Sequence, residues 1–325
     1  MGISPDLDTI REARKLLDRY FPVTPTVPAP TLSRSGARVY LKLETELPTG
    51  SFKPRGALYA LITNLSRRPV REVTASSTGN HGAAVSFAAK TLGIPASIFV
   101  PANSNPVKRQ KIVDLGARIV ESGAADLAAA FEQASAYSTR NAATDFYFLN
   151  DATDPDVPVG TATIGLEIAQ QVPQVSTIYV PMGDTALIRG VAAAVKQLVP
   201  NVKVIGVQAE GAPSYYLSWK EGKALPTDRC DTCADGLATR TPDPHNVAAI
   251  RKLVDDVVLV SEQQMLGAIA YLYKEEHVLA EPAGAAATAA YLAAQQSALQ
   301  ATGDVVLLVT GANISDEIRQ KAGII

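Results

Sequence analysis

The sequence predicts an α/β fold of parallel sheets covered by helices on both faces. Two observations carry the prediction. Apolar, β-rich runs alternate with helical stretches along most of the 325 residues. The composition is 47% hydrophobic and rich in alanine with only 6% aromatics, which suits many closely packed helices. A chain this long supports one large core or two coupled ones.

The elements follow in order. Strands are expected at RVYLKLE (38–44), EVTASS (72–77), ASIFVP (96–101), ARIVES (117–122) and DFYFLN (145–150). STIYVPM (176–182), KVIGVQA (203–209), DVVLV (256–260) and DVVLLVTG (304–311) complete the set. Helical patterns lie between them at 54–64, 80–92, 106–115, 124–140, 159–172, 187–199, 261–275 and 282–297. Segment 224–246 is the longest stretch without periodicity and reads as a loop.

Charge and hydropathy narrow the function. With 30 basic and 32 acidic residues the net charge is −2, which gives no ground for a nucleic-acid partner. Apolar stretches are broken well short of the roughly 20 residues that span a bilayer, so no membrane partner is expected. The N-terminus lacks a signal pattern, and Asp6 stands where a myristoylation signal needs Ser or Thr. A cytoplasmic location is the expectation. Cys230 and Cys233 are spaced C-x-x-C, but no further ligands lie near them, and a plain loop is expected.

In parallel α/β sheets ligands bind beyond the carboxyl ends of the strands, so residues just after each strand matter most. Four stretches meet that condition. Thr49-Gly50-Ser51-Phe52-Lys53-Pro54-Arg55-Gly56 puts Lys53 at a loop-to-helix junction, with Pro54 suited to the first turn. Ser76-Ser77-Thr78-Gly79-Asn80-His81-Gly82 gathers hydroxyls, an amide and two glycines at a helix start, where free N–H groups favour an anion. Pro181-Met182-Gly183-Asp184-Thr185-Ala186-Leu187 is a second possible anion cradle. Thr310-Gly311-Ala312-Asn313 follows the last strand. Each alone has an ordinary reading: a solvated lysine, an N-cap, a tight turn.

Together these stretches resemble the fold-type II pyridoxal-phosphate enzymes, and most nearly the threonine/serine dehydratases and serine racemase. The likeness runs from KLETELPTGSFKPRGA through STGNHG, ADGLA (234–238) and EPAGAA (281–286) to VTGAN. It implies a tryptophan-synthase-β-like architecture of two open, mostly parallel twisted sheets. The active site would lie between a large cofactor domain (1–71 and 148–325) and a small mobile domain (72–147). It implies pyridoxal 5′-phosphate carried on Lys53, which would also act as base at the substrate Cα. Phe52 would pack on the cofactor ring, and Asn80 would bond its 3′-oxygen. Gly183, Asp184, Thr185, Ala186 and Leu187 would hold the phosphate. Thr310 would face the pyridine nitrogen, a partner that makes a weaker electron sink than a carboxylate and so favours β-elimination. Ser77, Thr78, Asn80 and His81 would bind a small amino-acid substrate.

Dehydration of threonine, serine or a bulkier aryl serine to a 2-oxo acid and ammonia is the expected activity. The aryl serine rests on the changed phosphate loop and on Tyr215-Tyr216. The alternatives are racemisation with Thr78 as second acid/base, β-replacement, a non-catalytic sensing module and, last, a nicotinamide-dependent dehydrogenase. The phosphate loop departs from the usual four glycines, and Asp184 is expected to turn away or pair with Arg189. Gln208 and Ser214 stand where many relatives place acidic metal ligands, so no metal is expected. A homodimer is expected. The chain ends at Ile325, and no C-terminal regulatory domain with isoleucine feedback is expected.

Overall fold

The computed structural model describes residues 4–102, 104, 106–123, 127–140, 145–228, 230–295 and 303–325. Its elements, in order, are α1 (Leu7–Leu17), β1 (Thr26–Pro28), β2 (Ala37–Leu43), α2 (Lys53–Arg67), β3 (Glu72–Ser76), α3 (Asn80–Leu92) and β4 (Ala96–Val100). Then come α4 (Pro106–Asp114), β5 (Arg118–Glu121), α5 (Leu127–Arg140), β6 (Phe146–Phe148), α6 (Val157–Gln171), β7 (Val175–Pro181), α7 (Ala186–Leu198) and β8 (Lys203–Ala209). The last are α8 (Ser214–Glu221), α9 (Pro244–Leu253), β9 (Asp256–Val260), α10 (Glu262–Glu275), α11 (Pro282–Ala294), β10 (Gly303–Val309) and α12 (Asp316–Lys321).

The chain divides into two units, residues 1–52 with 161–325 and residues 53–160. The sequence-based division fell at 71/72 and 147/148. The unit boundaries differ because α2 packs lengthwise on α3 and so travels with the strands that follow it.

The larger unit carries a six-stranded sheet in the order β1-β2-β10-β7-β8-β9. Only β1 runs antiparallel, paired with β2. Strand β10 explains why such strands read as unbroken apolar runs. Val305, Leu307 and Val309 enter one core cluster, beside Met265, Ile269 and Leu272 of α10 and the alanines of α11. Val306 and Leu308 enter another, beside Ile164 and Ile168 of α6, Ile188 and Val191 of α7, and Ile250 of α9. Period-two alternation sends successive side chains to opposite faces, and both faces here are covered. The smaller unit holds a four-stranded parallel sheet, β5-β4-β3-β6.

A buried charge cluster ties the larger unit together. Glu167 on α6 is fully buried and accepts from Arg14 of α1 and from Lys42 of β2, each at 2.6 Å. The Thr24 hydroxyl bridges Glu167 (3.2 Å) and the buried Glu44 (2.6 Å).

Helices α1, α8, α9 and α12 and the short β1 lie outside the expected elements. Helix α1 had a readable start, since Asp6 accepts the Thr9 N–H at 2.8 Å as N-cap. Helix α9 had one too, with Asp243 as cap and Pro244 in the first turn. It begins within the segment expected to be loop. The predicted helix 124–140 and helix 282–297 each extend in part onto residues outside those described.

Candidate active site

In the smaller unit, β3 ends at Ser76 and α3 begins at Asn80. The three residues between them make a turn in which Ser77 Oγ accepts the Gly79 N–H at 3.1 Å. The turn is tight enough that a Cβ on Gly82 would stand 2.3 Å from the Ser77 carbonyl oxygen, so glycine is required there. Ser77, Thr78 and Asn80 are half-buried beside it. His81 is buried, and its Nε2 lies 2.9 Å from the Leu149 carbonyl oxygen.

Lys53 opens α2, with Pro54 in the first turn. Its largely buried Nζ donates to Asp151 Oδ2. The same carboxylate oxygen lies 3.5 Å from His81 Nδ1. Lys53, Asp151 and His81 thus form one cluster drawn from α2, the segment after β6 and α3. Asp151 was missed by the sequence reading. It follows directly on the predicted strand 145–150, the position the ligand-end rule singles out, but the turn-forming run NDATDPD masked it.

In the larger unit, β7 leads through Met182-Gly183-Asp184-Thr185 into α7. A Cβ on Gly183 would fall 2.2 Å from the Gly236 carbonyl oxygen, so at this residue backbone presses on backbone. Thr185 sits at φ +77° and gives α7 no side-chain cap. A non-glycine residue in that region carries strain of about 1–2 kcal/mol. The Ala186 N–H at the head of α7 donates to Asp184 Oδ1 at 3.3 Å, and the helix N-terminus as a whole suits an anion such as phosphate. Arg189, one turn on, donates from Nε to Thr185 Oγ1 at 3.1 Å. Burial lowers the pKa of its guanidinium, and the nearby Asp184 carboxylate opposes that shift.

Behind the loop, Asn246 Nδ2 donates to the Asp184 carbonyl and to the Tyr215 hydroxyl, each at 3.3 Å. The Tyr215 hydroxyl also accepts the Asp243 N–H at 3.1 Å. Tyr215 is thus a buried brace of this loop, which removes half of the argument for an aryl pocket. Tyr216 lies under Lys220 Nζ, 4.5 Å from the ring centroid. Gln208 accepts the Tyr216 N–H at 2.8 Å, and Ser214 donates to the Thr239 carbonyl at 2.6 Å. Among the described residues no group of three His, Cys, Asp or Glu is arranged to hold a metal ion.

Phe52 packs on the core cluster that includes Ile188, and its N–H donates to the Thr310 carbonyl at 3.0 Å. Thr310 is buried at the end of β10. Cys230 and Cys233 are free thiols. Burial and the neighbouring Glu262 push the Cys233 thiol up to about 12, so it is not a nucleophile at neutral pH.

A lysine at a helix head and a helix N-terminus suited to an anion are two parts that pyridoxal phosphate needs. The model of the pyridoxal-phosphate dependent enzyme family matches residues 18–311. The chain belongs to this family. The enzyme is 38% identical to the L-threonine ammonia-lyase of Thermotoga maritima over 312 residues, 95% of this chain and 75% of the relative. Its fold is similar to that of maize serine racemase, with a TM-score of 0.89 at 29% identity, covering 99% of this chain and 97% of the other. Threonine deaminase isoform 2 of Solanum lycopersicum gives 0.88 at 31% identity, over 99% and 89% of the two chains. The enzyme is a pyridoxal-phosphate-dependent lyase of the α/β, two-sheet type that its strand–helix alternation and motifs predicted.

Proposed function

We propose that the enzyme removes water from threonine or serine, giving a 2-oxo acid and ammonia. The observation that carries this is a largely buried lysine amine held at the head of α2, in a chain 38% identical to an L-threonine ammonia-lyase. Lys53 binds the cofactor, Gly183 to Leu187 hold its phosphate, Asn80 its 3′-oxygen and Thr310 its ring nitrogen, with Phe52 against the ring. Ser77, Thr78 and Asn80 receive the substrate, while His81 is engaged by the Leu149 carbonyl and Asp151. When bound, the cofactor supplies an electron sink for the pair left at Cα. The Lys53 amine takes the Cα proton, and the β-hydroxyl, given one proton from solvent, departs as water. The enamine product then hydrolyses to the 2-oxo acid and ammonia.

The Thr78 hydroxyl, half-buried next to Asn80, supports racemisation as a second reading. A homodimer in the cytoplasm completes the proposal, and light scattering checks the dimer. The test is an absorbance spectrum followed by additions of L-threonine, L-serine and L-threo-phenylserine. A visible band that vanishes in Lys53→Ala, with ammonia released from threonine or serine, is the expected result. No band after adding pyridoxal phosphate sinks the assignment of Lys53. Inversion without ammonia favours racemisation.

A further inference from the structure

The hydrogen-bonding capacity around His81 fixes its tautomer. A carbonyl oxygen only accepts, so Nε2, 2.9 Å from the Leu149 oxygen, carries a proton. Nδ1 then faces Asp151 Oδ2 at 3.5 Å. In this neutral tautomer Nδ1 is an acceptor, and an ionised carboxylate is an acceptor only. Their lone pairs oppose each other unless a proton lies on one of the two atoms. The same Oδ2 receives the Lys53 ammonium. Three groups from three segments therefore share protons around one carboxylate oxygen.

We propose that Lys53, Asp151 and His81 form a proton relay, in which Asp151 and His81 act as positioning residues that discharge Lys53. The proposal rests on the reading of Lys53 as the cofactor-bearing base. The Cα–H bond breaks, its electron pair stays on carbon, and an N–H bond forms at Nζ. One Nζ–H then breaks as Asp151 Oδ2 gains a proton and passes it to His81 Nδ1. Lys53 ends as a neutral amine, Asp151 as a carboxylate and His81 as an imidazolium that discharges to solvent. A carboxylate alone would keep the lysine as an ammonium, which has no lone pair with which to rejoin the cofactor aldehyde. The histidine behind it removes the surplus proton.

The test begins with cofactor-free protein. The sequence has three histidines, so nitrogen-15 imidazole spectra are assignable with His81→Gln as reference. The wild type should show Nε2–H at His81 and a proton shared at Nδ1. In Asp151→Asn at the same pH, the Nδ1–H population should fall. Lys53→Met, which removes the competing cation, should raise it. In the loaded enzyme, Asp151→Asn and His81→Gln should each lower kcat about tenfold or more with KM little changed, as loss of a proton-transfer partner does. An Nδ1–H population unchanged in both Asp151→Asn and Lys53→Met, or a neutral His81 with its proton on Nδ1, overturns the relay. Failure of the cofactor reading is distinguishable: the visible band would then be missing while the histidine coupling persists.

Discussion

Replacing Glu167 with glutamine tests what the buried charge cluster contributes to folding. The carboxylate is fully buried and receives Arg14 and Lys42 at 2.6 Å each, while Lys42 is itself fully buried and Arg14 nearly so. Glutamine keeps the volume and removes the charge, leaving two cations in the interior without this anion. Breaking one side of a buried ion pair costs about 3–5 kcal/mol, because the surviving charge has lost its compensation. Total stability for a domain is about 5–15 kcal/mol, so a large share would go. At about 2–4 °C per kcal/mol for chains above 150 residues, the melting temperature should fall by roughly 6–20 °C. Urea unfolding followed by circular dichroism reads the change, with the midpoint moved and the slope preserved. Replacing Lys42 with methionine should cost less, since Glu167 keeps Arg14 and the Thr24 hydroxyl. A loss under about 1 kcal/mol for Glu167→Gln would refute the reasoning, because it would mean water reaches the site as freely as at a surface pair.

Other outcomes follow from single sites. Gly183→Ala should weaken pyridoxal phosphate binding tenfold or more in an absorbance titration, because the new methyl meets the Gly236 carbonyl at 2.2 Å and shifts the loop. Cys233 should react slowly with thiol reagents at neutral pH. Its labelling rate should climb about tenfold per pH unit, since only the thiolate reacts and the thiol is pushed up to about 12. Burial raises the pKa of Asp154 above the ordinary 3.8, so the folded state binds its proton more tightly than the unfolded chain. Its stability contribution is therefore present at low pH and lost as pH rises through the folded value. Asp154→Asn should flatten that fall in a stability-against-pH series, and an unaltered slope would contradict it.

Among the described residues nine of the ten strands were legible as β-rich runs, most plainly β10, which is apolar from Val305 to Val309 because both its faces are covered. Val305 to Val309 could be read without knowing which cluster each residue joins. Helix α1 was less legible because LDTIREARKLL mixes charge into its buried stripe, where Arg14 joins Ile10, Ala13 and Leu17. At the site, Lys53 and the two anion-suited turns were readable because each follows a strand. Asp151 and the Tyr215–Asn246 brace were not, because they act through partners distant in sequence: 98 positions separate Lys53 from Asp151, and 62 separate Asn246 from Asp184. Spacing along a chain carries no trace of such a meeting.

Strand β10 is paired along both sides, with β2 and with β7, and side chains cover both its faces. Its central amides have no local route to solvent and should exchange hydrogen only when the larger unit unfolds as a whole. Thr310 is the next residue along, so it stands on the slowest-exchanging ground in the unit. Edge strands β1 and β9 are open to insertion and sequence drift, yet change there leaves the placement of residue 310 untouched. In this fold the residue at the end of the central strand is placed by the sheet itself and not by its margins.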